Sequence, residues 1–281
     1  MASFLKRYFK IPSSTEKPAR FSRILVTGMG KTGSTALYYA ILNSLPPETV
    51  CLFEPEFNGK TLPEDIAPPV LVKSFIPYSE HFSFFEKKIL LVRDPRDQMI
   101  SSVLYKPYNI LAKEFPGDLE GAMALINTYL ESVRRKEASP LDVPVKQLFD
   151  TGQVKTLLRI NNVMEYSRNH SDLFLLKYED FIDQNLKGLN EYLNIDISGS
   201  IEVPQKYKRV VRTKSYGNWR NWLTPADVEY FRPLMRDYMD RFGYKDDWEL
   251  AEEPAIDPDQ GSHYLESLIR EALDLRRKRN I

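Results

Sequence analysis

Short apolar runs alternating with helical stretches give the chain its pattern. Ile24 to Thr27 predicts a buried strand, Val50 to Phe53 a second and Val70 to Phe75 a third. Ile89 to Val92 predicts a fourth, and Leu173 to Leu176 a fifth. Helical spacing follows from Ser34 to near Asn43, from just past Asp97 through Tyr105, and over Leu119 to Arg135. It returns over Val154 to Asn169, where Leu157, Leu158, Ile160, Val163, Met164 and Tyr166 are apolar, and over Ser262 to Ile281. Short apolar strands separated by helices predict an α/β fold, a parallel β-sheet flanked by helices. Ligands of such sheets sit beyond the carboxyl ends of the strands. Lys31, Glu54, Lys73, Arg93 and Tyr178 all stand at or just past those ends.

Prolines and polar runs divide the rest. Pro46-Pro47 marks a turn, Gly59 to Pro69 and Tyr105 to Gly117 read as loops, and Ser139 to Pro144 as a linker. Three segments are expected: an N-terminal arm over 1–20, a central domain over 21–248, and a C-terminal linker and helix over 249–281. Met1 to Lys10 mixes Phe4, Leu5, Tyr8 and Phe9 with Lys6, Arg7 and Lys10. An arm packed on the body is favoured there over a membrane-surface helix, because the segment is short. The last helix runs into Arg276-Arg277-Lys278-Arg279, cations that suit a helix C-terminus. Its apolar residues Leu265, Leu268, Ile269, Leu273 and Leu275 suit packing or a homo-oligomer contact, with membrane-surface contact the less favoured reading.

Composition narrows the class. The 281 residues carry 39 basic and 39 acidic side chains, which argues against a general nucleic-acid binder. Cys51 is the single cysteine, so neither an intramolecular disulfide nor a cysteine-based metal site is expected. No apolar run approaches the ~20 residues of a membrane span. Met1 to Lys10 lacks the apolar core of a secretory leader, and the expectation is a cytoplasmic protein.

The chemistry concentrates in Ile24 to Ala40, ILVTGMGKTGSTALYYA. A strand, a turn bearing Gly28, Gly30 and Gly33, and a helix N-terminus form an anion site. Lys31 adds a full charge; Thr32, Ser34 and Thr35 add hydroxyl donors. The nucleotide P-loop pattern G-x-x-x-x-G-K-[ST] fits only at its end, because its opening glycine would stand at Leu25. Phosphate, sulfate or both suit this turn. A second basic stretch, Arg209 to Thr224, sets Arg209, Arg212, Lys214 and Arg220 among Ser215, Gly217, Trp219 and Trp222. It suits an anionic ligand that also has a ring, or equally a solvated basic loop anchored by its tryptophans.

These segments carry a family resemblance. Lys31-Thr32-Gly33-Ser34-Thr35 resembles the K-S-G-T-T loop of sulfotransferases that use 3′-phosphoadenosine 5′-phosphosulfate, a loop that holds the 5′-phosphosulfate. Arg93-Asp94-Pro95-Arg96-Asp97, with Ser101, is similar to the second signature, whose Arg and Ser hold the 3′-phosphate. Tyr178-Glu179-Asp180 resembles the Y-E-D segment near the adenine. Arg212-Thr213-Lys214 with Gly217-Asn218-Trp219-Arg220-Asn221 resembles the R-K-G-x-x-G-D-W-K-N loop over the same phosphate. The matches stand in the family's order from Ile24 to Thr224. They imply a P-loop-like sulfotransferase fold, with Lys31, Thr32, Gly33, Ser34, Thr35, Arg93, Ser101, Tyr178, Arg212, Thr213 and Lys214 at the co-substrate and no metal.

The departures are specific. Lys73-Ser74 falls where the cytosolic branch has a K-T-H or K-S-H strand end, but Phe75 replaces the histidine. Ala36 stands in place of the adenine-stacking tryptophan, and Lys214 in place of the glycine at the third position of the closing loop. Phe53-Glu54-Pro55 is similar to the F-E-P segment of the carbohydrate branch, which implies Glu54 as the base, with Lys31 and Lys73 as catalytic cations. Glu56 and His81 are the rivals for the base, and a carboxylate merely paired with a lysine is the alternative. Pro55 predicts an extended backbone at Glu54. The acceptor would be a small molecule or glycan bearing a hydroxyl. A P-loop kinase, with Asp94 as its metal-holding carboxylate, and a non-catalytic binding module of the same fold are the other readings.

Overall fold

Each predicted apolar run forms a strand: β1 (Arg23–Gly28), β2 (Val50–Phe53), β3 (Val70–Phe75), β4 (Lys87–Val92) and β5 (Phe174–Lys177). The computed structural model describes residues 22–54, 68–75, 82–113, 115, 118–150, 156–197 and 203–279. The strands pair in parallel in the order β2-β3-β1-β4-β5, the α/β class expected. β1 is central, with β3 on one side and β4 on the other. The carboxyl end of β1 is therefore a topological switch point, where open parallel sheets take their ligands. The N-terminal arm, most of the loop from Gly59, and Pro55, Glu56 and His81 lie outside the described residues.

The described residues divide into two compact units, one within Met1–Val92 and Glu165–Gln205, the other within Arg93–Met164 and Lys206–Ile281. The first holds the whole sheet. Alternation along β1 sends Ile24 and Val26 to a core shared with Leu71, Ile89, Leu91 and Leu176, and Leu25 to one shared with Val70, Val72, Phe85 and Tyr166. Helices α1 (Ser34–Leu42), α6 (Tyr178–Ile182) and α7 (Lys187–Leu193) supply Leu37, Ile41, Phe181 and Leu189 to the first of these. Each such side chain contributes about 1.5–3 kcal/mol when fully buried.

The second unit is helical. It contains α2 (Pro95–Lys113), α3 (Leu119–Ala138), α4 (Val145–Phe149), α8 (Trp219–Trp222), α9 (Pro225–Phe242) and α10 (Ser262–Arg279); α5 spans Thr156–Asn169. The structure corrects the loop expected from Tyr105, since α2 continues to Lys113 through an interior Pro107. Packing overrides the local signal there: Leu104 and Leu111 are buried on α2, and α10 packs along it. The apolar face of α10 (Leu265, Leu268, Ile269) is buried within the chain's own unit, against α2 and α3. The segment expected as a linker before α10 is tied down: Ala251 N donates to Arg220 O at 3.1 Å and Ala255 N to Asn221 Oδ1 at 3.2 Å. Among the described residues no helix is long and apolar enough to cross a membrane.

Candidate active site

The turn after β1 is shaped by close packing. Gly28 lies in register with Phe75 on one neighbour and Leu91 on the other. A Cβ there would meet Leu91 O at 2.7 Å, so only glycine lets the chain leave the sheet at this point. The backbone turns left-handed at Lys31 (φ 69°) and Gly33 (φ 89°). Lys31 accepts this conformation at a cost of about 1–2 kcal/mol. At Gly33 a Cβ would lie 2.7 Å from the buried Tyr178 ring, so Tyr178 supports the turn from beneath. Thr32 is buried and its hydroxyl donates to Met29 O at 2.8 Å, which pins the turn and engages that hydroxyl. Gly33 is the N-cap of α1 and supplies no side-chain cap, and the first turn of α1 bears no carboxylate. Leading N–H groups with positive dipole and no acidic side chain among them fit an anion. Ser34 is buried and Thr35 half-buried on that same first turn.

Lys73 and Glu54 meet at the ends of β3 and β2. Lys73 is only 1% exposed, and its Nζ is paired with Glu54 Oε1. The Phe75 ring centroid lies 3.8 Å from Nζ and the Phe53 centroid 4.9 Å away, so two aromatic faces share the charge. Burial pulls the Lys73 pKa down, and the Glu54 carboxylate pulls it partly back. Glu54 keeps 38% of its side chain exposed. Its backbone is left-handed at φ 46°, not extended as Pro55 predicts. The buried ammonium explains the difference. An unpaired buried charge costs several kcal/mol, whereas one left-handed residue costs about 1–2 kcal/mol. The Glu54 N–H meanwhile continues the sheet ladder to Lys73 O at 2.9 Å. The expected base and the expected ion pair are therefore the same carboxylate. Both rivals, Glu56 and His81, lie outside the described residues.

The second unit gathers the other expected anion contacts around the N-terminus of α2. Arg93 is buried and donates through Nη2 to Ser215 O at 3.3 Å, while its own carbonyl accepts from Tyr238 Oη at 3.2 Å. Ser101 is buried two turns down the same helix. Thr213 Oγ1 donates to Ser215 O at 3.3 Å, Lys214 is exposed, and Arg212 Nη1 donates to Gln260 O at 3.1 Å. Asp94 is not open to a metal, since both its oxygens accept from Arg96, at 2.9 Å and 2.6 Å. The Arg96 guanidinium also lies 4.0 Å over the Trp219 ring and 5.0 Å from that of Trp248. Among the described residues no cluster of His, Cys, Asp and Glu is arranged to hold a metal ion.

Two features escape a reading of the sequence. The rings of Phe53 and Phe75 embrace Lys73 from positions whose spacing says only that they end strands. Asp97 is wholly buried, with its carboxylate turned to backbone N–H groups of the basic loop. Its one sequence signal is an acid in the first turn of a helix.

No family model matches this chain, and no curated protein matches it. Among solved structures, the chain is similar to mouse sulfotransferase SULT7A1 complexed with PAP, at 17% identity and a TM-score of 0.46, over 79% of this chain and 86% of that one.

Proposed function

We propose that this protein is a sulfotransferase, moving a sulfuryl group from 3′-phosphoadenosine 5′-phosphosulfate to an acceptor hydroxyl on a carbohydrate or another alcohol. The observation that carries this reading is the end of β1. There an α1 N-terminus without a side-chain cap follows a turn bearing Lys31, and Lys73 on the adjacent strand β3 pairs with Glu54 just past the end of β2, the next strand out.

The bound donor supplies an activated sulfuryl group. Lys31 and the first N–H groups of α1 stabilise the negative charge that grows on the departing phosphate oxygen. A preorganised donor of this kind is worth about 3 kcal/mol of barrier. Thr32 and Tyr178 hold the turn in shape, from within and from beneath. Ser34 and Thr35 stand where their hydroxyls add donors. Glu54 takes the acceptor proton, and Lys73 fixes its carboxylate and places positive charge at the neighbouring strand end. The lysines and N–H groups supply the neutralising charge that a phosphotransferase draws from a metal. Arg93, Ser101, Arg212, Thr213 and Lys214 are assigned to the 3′-phosphate. Asp94, fully engaged by Arg96, argues against the kinase alternative.

Incubation with ³⁵S-labelled donor and a panel of sugar and alkyl alcohols tests the reading. Labelled acceptor is expected, with transfer falling by about 10²-fold or more in Lys31→Ala. Phosphate transfer from ATP and Mg²⁺, with no sulfuryl transfer to any acceptor, would replace it with the kinase reading.

A further inference from the structure

Asp97 sits in the first turn of α2 with 0% exposure, although carboxylates are rarely buried without partners. Its partners are main-chain. Oδ2 accepts from the Gly217 N–H, and Oδ1 from the Trp219 N–H at 3.1 Å. Burial raises its pKa above the ordinary carboxylate value, the Arg93 charge and the two loop N–H groups pull it back, and the neighbouring Asp94 adds to the rise. From the other direction, Arg93 Nη2 reaches Ser215 O, and Asn218 Nδ2 donates to Ser215 Oγ at 2.8 Å. The loop from Thr213 to Trp219 is thus held at both its N–H and its C=O groups by side chains four residues apart on one stretch of chain.

We propose that Asp97 is a positioning residue, a buried clasp that sets the Thr213–Trp219 loop beside Arg93 and so preforms the part of the site that reads the 3′-phosphate. The charge pattern supports this. The Arg93 charge acts on this buried carboxylate, and both carboxylate oxygens accept from N–H groups of the loop. Gly217 serves the same end. Its φ of 79° turns the N–H inward, and a Cβ there would meet nothing within 4 Å, so this glycine is needed for its backbone conformation and not for space.

The inference rests on the donor reading, and the test separates the two. In the ligand-free protein, Asp97→Asn should accelerate hydrogen exchange at the Gly217 and Trp219 amides by about tenfold or more, the scale of a lost charged hydrogen bond. Binding is then compared for adenosine 3′,5′-bisphosphate and 5′-AMP. The variant should lose about tenfold or more for the bisphosphate and almost nothing for 5′-AMP, whereas general destabilisation would weaken both alike. Gly217→Ala, which fits sterically, should show the same selective loss to a smaller degree and covers the case in which Asp97→Asn does not fold. Unchanged exchange at the two amides would overturn the clasp. So would faster exchange with the preference for the bisphosphate intact. Should the wild-type protein not prefer the bisphosphate to 5′-AMP, the donor reading fails, the 3′-phosphate role falls with it, and exchange alone decides the clasp.

Discussion

The turn after β1 and the loop from Thr213 to Trp219, both assigned to an anion under the proposed function, are built by opposite means. The first is made of backbone: a glycine where no Cβ fits, two left-handed residues, and a helix end without a side-chain cap. The side-chain bond from Thr32 to Met29 O spans only three residues. The second is made of side chains from far along the sequence, with Asp97 reaching Gly217 and Trp219 across 120 and 122 positions. A backbone site is set by local sterics and resists single polar substitutions. A side-chain site depends on a few buried charges, each expensive to leave unpaired. Charge changes should therefore act in the first unit on chemistry and in the second on selectivity.

The largest expected effect lies in the first unit. Glu54→Gln keeps the shape and the hydrogen bond to Lys73 but removes the proton acceptor. Turnover should fall by about 10²-fold or more, with adenosine 3′,5′-bisphosphate affinity nearly unchanged in calorimetry. Turnover close to wild type, together with an inactive Glu56→Gln or His81→Ala, would move the base to that rival and leave Glu54 as the structural partner of Lys73.

Next comes Arg93→Ala in the second unit. It should weaken adenosine 3′,5′-bisphosphate by roughly 1.5–3 kcal/mol, the range of a charged hydrogen bond, and leave 5′-AMP nearly untouched. Equal losses for the two ligands would mean that Arg93 only holds the Ser215 carbonyl. The contrast between a catalytic turn and a selective loop would then fail.

The same contrast explains what could be read from the sequence. The three inner strands were legible because a parallel strand buried on both faces is a continuous apolar run; the edge strands β2 and β5 are only partly buried and were legible as short apolar runs. The β1 turn was legible because glycine spacing is itself the geometry. The helical unit was less so. The helix from Pro225 goes unread although Thr224 and Asp227 form a complete capping box before it. The break expected near Tyr105 was wrong because Pro107 is carried inside a helix whose burial outweighs one proline. Asp97 stood in view within Arg-Asp-Pro-Arg-Asp, but its role depends on partners that local pattern does not encode. The pairing of Glu54 with Lys73 was among the readings, and the Glu54 backbone conformation was misjudged because the buried ammonium that demands it belongs to the next strand.

The smallest expected effect concerns how each unit treats a buried lysine. Lys73 in the first unit has the Glu54 carboxylate on its ammonium. Lys136 in the second, on α3, is 0% exposed, and its Nζ has no hydrogen-bond partner among the described residues. Burial pulls its pKa down to about 8, against the opposing pull of Asp227 and Asp142. An unfolded lysine titrates near ~10.4, so between about 8 and that value the unfolded chain binds more protons than the folded one. Stability must then rise with pH across this window, since its slope follows the excess of protons on the unfolded state. Below the window the cost of the buried charge is fully present; above it, both states are neutral and the cost is gone. Lys136→Met, close in volume and uncharged, should therefore be more stable than wild type at pH 7, with the gap narrowing as pH climbs toward 10. Taking the difference between variant and wild type in chemical denaturation at pH 7, 8, 9 and 10 cancels the other alkaline groups, Lys73 included. A gap that stays flat with pH would show that Lys136 is paired and hydrated after all. In this respect the helical unit would then handle its buried charge as the sheet unit does.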